Sequence, residues 1–462
     1  MNVNRHAFAA HLQSIGRGIR RSNVFSFFNL LTGPELLDQV EASLPEHRER
    51  LFPPTETTSM FLAQVLSADR SCRMIVDTVA THRLLAHLPL CSTHTGAYCR
   101  ARARLPTPML TKLSGYVGQV ITQRAPVAWH WRGRRVRLVD GTTVSMPDTA
   151  ANQAAYPQPG SQRSGLGFPQ CRIVGLLCLA SGGVLAAATS PCRGKGSDEQ
   201  TLLRSIFDTL QANDVLLADA FYGTYFLLCA LRARGCDGLF AQHGARSRST
   251  DFRCGQRLGE RDHVIELQKP KKKPDWMTLE QYAQAPATLR VRELRVGGRL
   301  LVTTLLCPKQ TSKADLKTLY GQRWNIELDL RNIKTTLGMD RLSCKTPEMA
   351  VKEIWAYLLA YNLIRLLMTQ AALLVNRAPR TLSFKHTVQM WSAWRSCDSD
   401  GEHDDKLIVF LLMIGQQEVG KRSGRIEPRV IKRRPTTYPL LTQPRPLARA
   451  NVLRHGHPKK LK

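Results

Sequence analysis

Two aspartates and one glutamate stand where their side chains could bind divalent metal ions. Asp140 follows the apolar run V-R-L-V, Asp219 follows the apolar run V-L-L-A, and Glu327 lies in a stretch with helical periodicity. Ligand sites form at the carboxyl ends of parallel strands, and Mg²⁺ prefers oxygen ligands. Three converging carboxylates would hold two ions, a pair that can activate the attacking oxygen and stabilise the leaving oxygen in phosphodiester cleavage.

The glutamate shares one face of its predicted helix with two cations and a phenol. At about 100° per residue, Tyr320, Arg323, Glu327 and Lys334 fall within about 60° of one another on one continuous helix. A solvated face with i,i+4 ion pairs is the usual explanation of such a strip. Beside a metal-binding carboxylate, however, two cations and a hydroxyl suit a phosphodiester backbone, since phosphate contacts position a strand.

Other acids fit this site less well, because of where they lie relative to the predicted strands and helices. Some fall in the first turn of a helix or before a strand, and one lies on the far side of the glutamate's helix. We interpret them as caps or solvated groups: Asp148, Asp198, Glu199, Asp214 and Asp329.

The charge of the chain indicates a polyanionic partner. Its 462 residues include 66 Lys and Arg against 36 Asp and Glu, a net charge of +30. Nucleic acid is therefore the expected partner. We predict no membrane span, because Asn362, Arg365 and Gln370 interrupt the most apolar run and indicate a buried helix. Twelve cysteines without a C-x-x-C pair indicate reduced thiols in a cytoplasmic protein.

The predicted elements describe an α/β fold with an RNase H-like mixed sheet. A strand, a hairpin, a helix, a strand, a helix and a strand follow one another between residues 136 and 241. A β-rich insertion separates them from the glutamate's helix, and helical regions flank the core. A basic helix is expected at the N-terminus and an extended, largely disordered basic segment at the C-terminus. The predicted segments are 1–130 (helical, DNA-binding), 131–242 (core), 243–308 (insertion), 309–346 (core), 347–420 (helical) and 421–462 (basic tail).

Several motifs resemble those of one enzyme family. The spacing Tyr320-x2-Arg323-x3-Glu327-x6-Lys334 matches the Y-R-E-K signature of bacterial transposases of the "insertion sequence four" family, a branch of the DDE recombinases. D-G-T-T-V-S-M-P-D-T at 140–149 resembles the family's first aspartate region, and D-A-F-Y at 219–222 resembles its second. The β-rich insertion also precedes the glutamate in that family. The resemblance spans roughly residues 90–435.

The resemblance implies roles for these residues. Asp140, Asp219 and Glu327 would bind two Mg²⁺, for which Mn²⁺ would substitute. Tyr320, Arg323 and Lys334 would hold phosphates near the cleaved transposon end. Enzymes of this family are expected to stabilise a flipped base on an aromatic residue of the insertion, and Trp276 is our candidate. Packing of Trp276 in the insertion is the alternative.

The resemblance also implies a reaction and its partners. The enzyme would nick double-stranded DNA at terminal inverted repeats, form and reopen a hairpin, and join the freed 3′ end to target DNA. It would act as a homodimer, assembled through residues 347–415, on the nucleoid in the bacterial cytoplasm. Two alternatives stay open. An RNase H-like structure-selective nuclease would share the three acids without strand transfer, and a non-catalytic DNA-binding derivative would not need them.

Overall fold

The computed structural model describes residues 39, 42–44, 51–85, 87–397, 404–420 and 441–456. The basic helix predicted at the N-terminus lies outside these residues, as do residues 421–440 and 457–462 of the basic tail.

Helices pack on both faces of one mixed sheet. The strands are β1 (Val136–Ser145), β2 (Gln170–Cys178), β3 (Val184–Pro191), β4 (Val215–Ala218), β5 (Asp237–Ala241), β6 (Gln256–Gly259), β7 (Asp262–Gln268), β8 (Thr288–Val296) and β9 (Arg299–Thr303). The helices that precede β2 are α1 (Pro54–Leu66), α2 (Cys72–Leu85), α3 (Gly96–Arg104), α4 (Thr107–Arg124) and α5 (Ala150–Ala155). Those that follow are α6 (Glu199–Ser205), α7 (Tyr225–Ala233), α8 (Gly244–Ser247), α9 (Leu279–Gln284), α10 (Lys313–Gly321), α11 (Trp324–Arg331), α12 (Pro347–Leu374), α13 (Phe384–Cys397), α14 (Asp404–Gly415) and α15 (Arg445–His455).

The first five strands have the order of an RNase H-like core. The full sheet runs β3-β2-β1-β4-β5-β9-β8-β7-β6. Strand β1 is antiparallel to β2 and parallel to β4, and β4 is parallel to β5. The predicted β2–β3 hairpin is confirmed, with Gly182 at φ +79° in its turn, a conformation that glycine adopts without strain. The predicted mixed sheet is therefore confirmed.

The β-rich insertion continues the core sheet. Strands β6 to β9 pair antiparallel with one another, and β9 pairs with β5 through Leu239 and Thr303. The predicted hairpin turn at Gly297 and Gly298 is confirmed, both having positive φ. The insertion and the core therefore share one hydrogen-bonded ladder.

The long helix α12 is the centre of the larger hydrophobic core. It is apolar and long enough to cross a membrane, but 83% of its most apolar window is buried within the protein. The polar residues that interrupt it make interior contacts. Asn362 Nδ2 donates to the carbonyls of Ser114 and Val184 at 2.8 Å each, and its Oδ1 accepts from the Val184 amide at 2.8 Å. The predicted buried helix is confirmed.

Two acids interpreted as caps or solvated groups are buried in ion pairs. Asp214 is fully buried and accepts from Arg135 at 2.9 Å and Arg137 at 3.1 Å. Asp329 is 1% exposed and accepts from two arginines. The interpretation was wrong for both, because elements distant in sequence cover them. Asp198 caps α6 by accepting from the Thr201 amide, as predicted.

Part of the basic tail is helical. An extended chain was expected from residue 421 onward, whereas α15 covers Arg445–His455. Its residues are all at least partly exposed, so the helix has no buried face of its own. The expectation was wrong for this segment, where Ala448, Ala450 and Leu453 favour a helix and Pro446 is compatible with its first turn.

Candidate active site

Asp140 and Asp219 lie at the same end of the parallel strand pair. The β1–β4 ladder runs from Val136 to Leu138 on β1, and β4 ends at Ala218, directly before Asp219. The strand carrying Asp140 does not end there as predicted, because β1 continues to Ser145 in its pairing with β2. It is the parallel pairing that ends, so Asp140 sits beside the carboxyl end of β4.

The surroundings of Asp140 disfavour its ionised form. The pKa of this carboxyl is raised to about 6, mainly by burial and also by the nearby negative charges of Asp219 and Glu199. The Gly141 amide, which donates to Asp140 Oδ1 at 2.8 Å, and the Arg323 guanidinium lower the same pKa. The charges of Asp219 and Glu199 therefore both act on Asp140.

The helix carrying the signature residues is interrupted. Helix α10 ends at Gly321 and α11 begins at Trp324, and a π-helical segment, Asn332–Thr336, follows α11. At the interruption the Arg323 amide bonds to the Tyr320 carbonyl, an i→i−3 contact that tightens the turn. One continuous helix was predicted, and that prediction was wrong.

The structure nevertheless brings the signature residues together around Asp140. The Arg323 guanidinium donates to Glu327 Oε1 at 2.7 Å and lies 3.8 Å from Asp140 Oδ2. Lys334 Nζ donates to Thr142 Oγ1 at 3.1 Å. Thr142 lies two residues after Asp140 on β1 and so shares its face of the sheet.

Tyr320 forms part of the wall of the site. Its side chain is 6% exposed, and the Arg299 guanidinium lies 5.9 Å from its ring centroid. Burial raises the pKa of the Tyr320 hydroxyl, Asp219 raises it further, and Arg323 and Arg299 lower it. The charges of the second aspartate and of the signature arginine therefore both act on Tyr320.

Trp276 and the signature helices lie on opposite faces of the sheet. The Arg204 guanidinium of α6 is stacked 3.9 Å from the Trp276 ring centroid, and Phe226 of α7 meets the ring edge-on. The indole is 44% exposed. It rests on helices α6 and α7, with one side open to solvent.

The sequence interpretation missed Glu199 and Tyr222. The Tyr222 hydroxyl donates to Glu199 Oε2 at 3.2 Å, and burial together with the acids Glu199, Asp140 and Asp219 raises the pKa of Tyr222. Glu199 was interpreted as a helix-end acid. The aromatic pair after Asp219 was the one sequence signal pointing here, and it did not identify the acid that Tyr222 contacts.

The acids fit a divalent cation by their chemistry. In the described part of the chain, no group of three or more His, Cys, Asp or Glu side chains is arranged to hold a metal ion. The positive group between Asp140 and Glu327 is instead Arg323. The carboxylates of Asp140, Asp219 and Glu327 are hard oxygen donors of the kind that Mg²⁺ and Mn²⁺ bind. Asp140 and Glu327 already share one positive side chain, that of Arg323.

Sequence comparisons place the chain among known proteins. Residues 131–363, about half of the chain, match the transposase DDE domain. The chain is 28% identical to the transposase InsG for insertion sequence element IS4 of Escherichia coli strain K12, over 74% of this chain and 77% of that protein. It is 36% identical to the Escherichia coli transposase for insertion sequence element IS421, over 16% of this chain and 20% of that protein.

A solved structure also aligns with the chain. It is the piggyBac transposase in a synaptic complex with hairpin DNA, with a TM-score of 0.44 and 10% identity over 87% of each chain. The match to the domain covers both aspartates, the signature residues and the first half of α12. The chain therefore belongs to the transposases of the DDE domain family.

Proposed function

We propose that Asp140, Asp219 and Glu327 bind two Mg²⁺ ions, with Mn²⁺ as a substitute, in this DNA transposase. The contact of Arg323 with both Asp140 and Glu327 carries the proposal, because it joins an acid of the sheet to the acid of the signature helix through one positive group. When bound, such ions activate the attacking oxygen and stabilise the leaving oxygen of a phosphodiester.

The cationic side chains are proposed to hold DNA phosphates. Arg323 and Lys334 lie on either side of Glu327 in sequence and contact Asp140 and Thr142 on β1. A phosphate entering between them would meet two donors, and charge-assisted hydrogen bonds are the stronger ones. We propose that Tyr320, whose side chain is buried, orients this phosphate from the wall of the site.

We infer a cut-and-paste reaction at transposon terminal inverted repeats. Water attacks one strand and leaves a 3′-hydroxyl, which attacks the opposite strand to form a hairpin. Reopening of the hairpin frees the end for attack on target DNA. Each step exchanges one phosphodiester oxygen for another, so one set of acids can serve all of them. Trp276 is our candidate for holding a flipped base, since one side of its indole is open.

The six segments defined from the sequence are proposed as functional regions, with residues 1–130 binding DNA. We infer a homodimer that assembles through the C-terminal helices. Supporting this, α14 exposes a strip of apolar side chains, Ile408, Val409, Leu412 and Met413, and exposed apolar patches mark interaction surfaces. Bacterial insertion-sequence transposases act on DNA in the cytoplasm, and we infer that this one associates with the nucleoid.

A strand-transfer assay with pre-cut ends tests the proposed function against a nuclease without transfer. Wild-type protein should join radiolabelled 3′ ends to a target plasmid in Mg²⁺, and Asp140→Asn should not. Asp208→Asn, a change at a carboxylate 96% exposed, is the control. Cleaved ends that are never joined would favour the nuclease. Excision that persists in Asp140→Asn would overturn the metal assignment.

A further inference from the structure

Glu199 reaches the catalytic centre from the opposite face of the sheet. Val139 packs in the core cluster that contains Leu202 and Leu203 of α6, whereas Leu138 packs in the cluster of α12. Because side chains alternate along a strand, Gly141 faces α6 and Asp140 faces the signature helices. Glu199 belongs to the first turn of α6 and therefore approaches β1 at Gly141.

Glycine at position 141 is what admits this carboxylate. A Cβ placed on Gly141 would lie 2.2 Å from Glu199 Oε1 and 2.3 Å from its Cδ. Any larger residue would displace the glutamate side chain. The residue next to Asp140 therefore leaves the space that the Glu199 carboxylate fills.

The end of β4 opens a path between the two faces. Strand β1 pairs with β4 only as far as Leu138, and β4 ends at Ala218. Beyond this point the Glu199 carboxylate lies against Gly141, the residue that follows Asp140, with Oε1 2.2 Å from the position a Cβ on Gly141 would take. Tyr222, three residues after Asp219, holds Glu199 Oε2 through its hydroxyl.

Ion pairs neutralise only part of this group of acids. Among the residues that the structure describes, Arg323 pairs with Asp140 and Glu327, and Glu199 and Asp219 have no ion pair. Helix capping does not explain Glu199 either, because Asp198 caps α6. Partly buried carboxylates are costly unless a cation compensates them.

We propose that Glu199 is a fourth metal-binding carboxylate of the catalytic centre, held by Tyr222 and admitted by Gly141. It would bind an ion together with Asp140 and Asp219 beyond the end of β4, where the path between the two faces opens. The inference rests on the metal-binding role proposed for Asp140, Asp219 and Glu327.

Mn²⁺ binding by the full-length protein without DNA tests this, read by electron paramagnetic resonance of free Mn²⁺. Glu199→Gln should weaken Mn²⁺ affinity by at least about tenfold, the lower end of the effect of losing a supporting group. Tyr222→Phe and Gly141→Ala should weaken it in the same direction, because they release or displace the carboxylate. Glu280→Gln, on the exposed face of α9, should bind as wild type.

Glu199→Asp separates ligation from mere charge. It keeps the negative charge but shortens the side chain by one methylene, so a ligand would lose affinity and a distant charge would not. Wild-type affinity in Glu199→Asp would overturn the inference. So would unchanged affinity in both Glu199→Gln and Tyr222→Phe while Asp219→Asn loses binding. Unchanged affinity in Asp219→Asn as well would overturn the proposed metal site itself.

Discussion

Arg365 of α12 donates to Asp329 of α11 at 2.6 Å, and both side chains are almost fully buried. Arg380 donates to the other carboxylate oxygen at 2.8 Å. The Arg365 guanidinium is held in turn by the Tyr361 hydroxyl at 2.8 Å. This network fixes the helix that carries Glu327 against the core helix of the protein.

Asp329→Asn should destabilise the protein strongly. It leaves two arginines with no matching charge, and breaking a buried ion pair by removing one partner costs about 3–5 kcal/mol. Urea unfolding followed by circular dichroism measures this. Asp208→Asn should stay within about 0.5 kcal/mol of wild type, since Asp208 is exposed. A loss of less than about 1 kcal/mol in Asp329→Asn would contradict the network's role.

Arg323→Ala should separate DNA binding from metal binding. Loss of a charged hydrogen bond to phosphate costs about 1.5–3 kcal/mol, or roughly 10–150-fold in affinity for a transposon end. Mn²⁺ affinity should stay the same or rise, because the positive group that competes for Asp140 and Glu327 is gone. Gel-shift and calorimetric titrations measure the two affinities. Weaker Mn²⁺ binding would mean that Arg323 organises the acids.

Metal binding should depend on pH through Asp140. Its raised pKa of about 6 means that an ion must displace a proton below that pH. Mn²⁺ affinity should therefore rise as pH increases from 5 to about 6 and then level off, with proton release on binding at the lower pH. Calorimetry in two buffers of different ionisation enthalpy detects this release. In Asp140→Asn, the part of the pH dependence of Mn²⁺ affinity that falls near pH 6 should disappear.

The same shift has the opposite effect on folding of the metal-free protein. An acid whose pKa is raised in the folded state binds more protons there than in the unfolded chain, so stability falls as pH rises through that interval. The Asp140 contribution is thus present below its ordinary pKa of 3.8 and is lost by about pH 6. As pH rises from 4 to 6.5, the melting temperature of the wild type should fall relative to that of Asp140→Asn.

DNA binding should weaken steeply with salt. The net charge of +30 indicates a phosphate-dominated interface, and each phosphate neutralised contributes about −0.9 to the slope of log affinity against log salt. Lys334→Ala should reduce that slope by about one unit. Fluorescence anisotropy between 50 and 300 mM KCl measures it. An unchanged slope would mean that Lys334 contacts Thr142 but does not bind a DNA phosphate.

The sequence was informative where local pattern determines structure. Short apolar runs placed Asp140 and Asp219 next to buried strands, and side-chain spacing placed Arg323 near Glu327. It failed where segments distant in sequence determine whether a side chain is buried and what it contacts. Asp329 looks solvated by helical arithmetic, but α12 and Arg380 cover it. Glu199 looks like a helix-end acid until β1 and Tyr222 are seen beside it. The pairing of β9 with β5 joins residues far apart in the chain, which no local pattern reports.

That pairing has a mechanical consequence. The segment bearing Trp276 follows β7, which is linked through β8 and β9 to β5 and hence to β4, the strand that ends directly before Asp219. A sheet bonded across its whole width has no hinge between these points. We therefore expect the distance from the indole to the second aspartate to be a fixed span that stays the same when DNA binds.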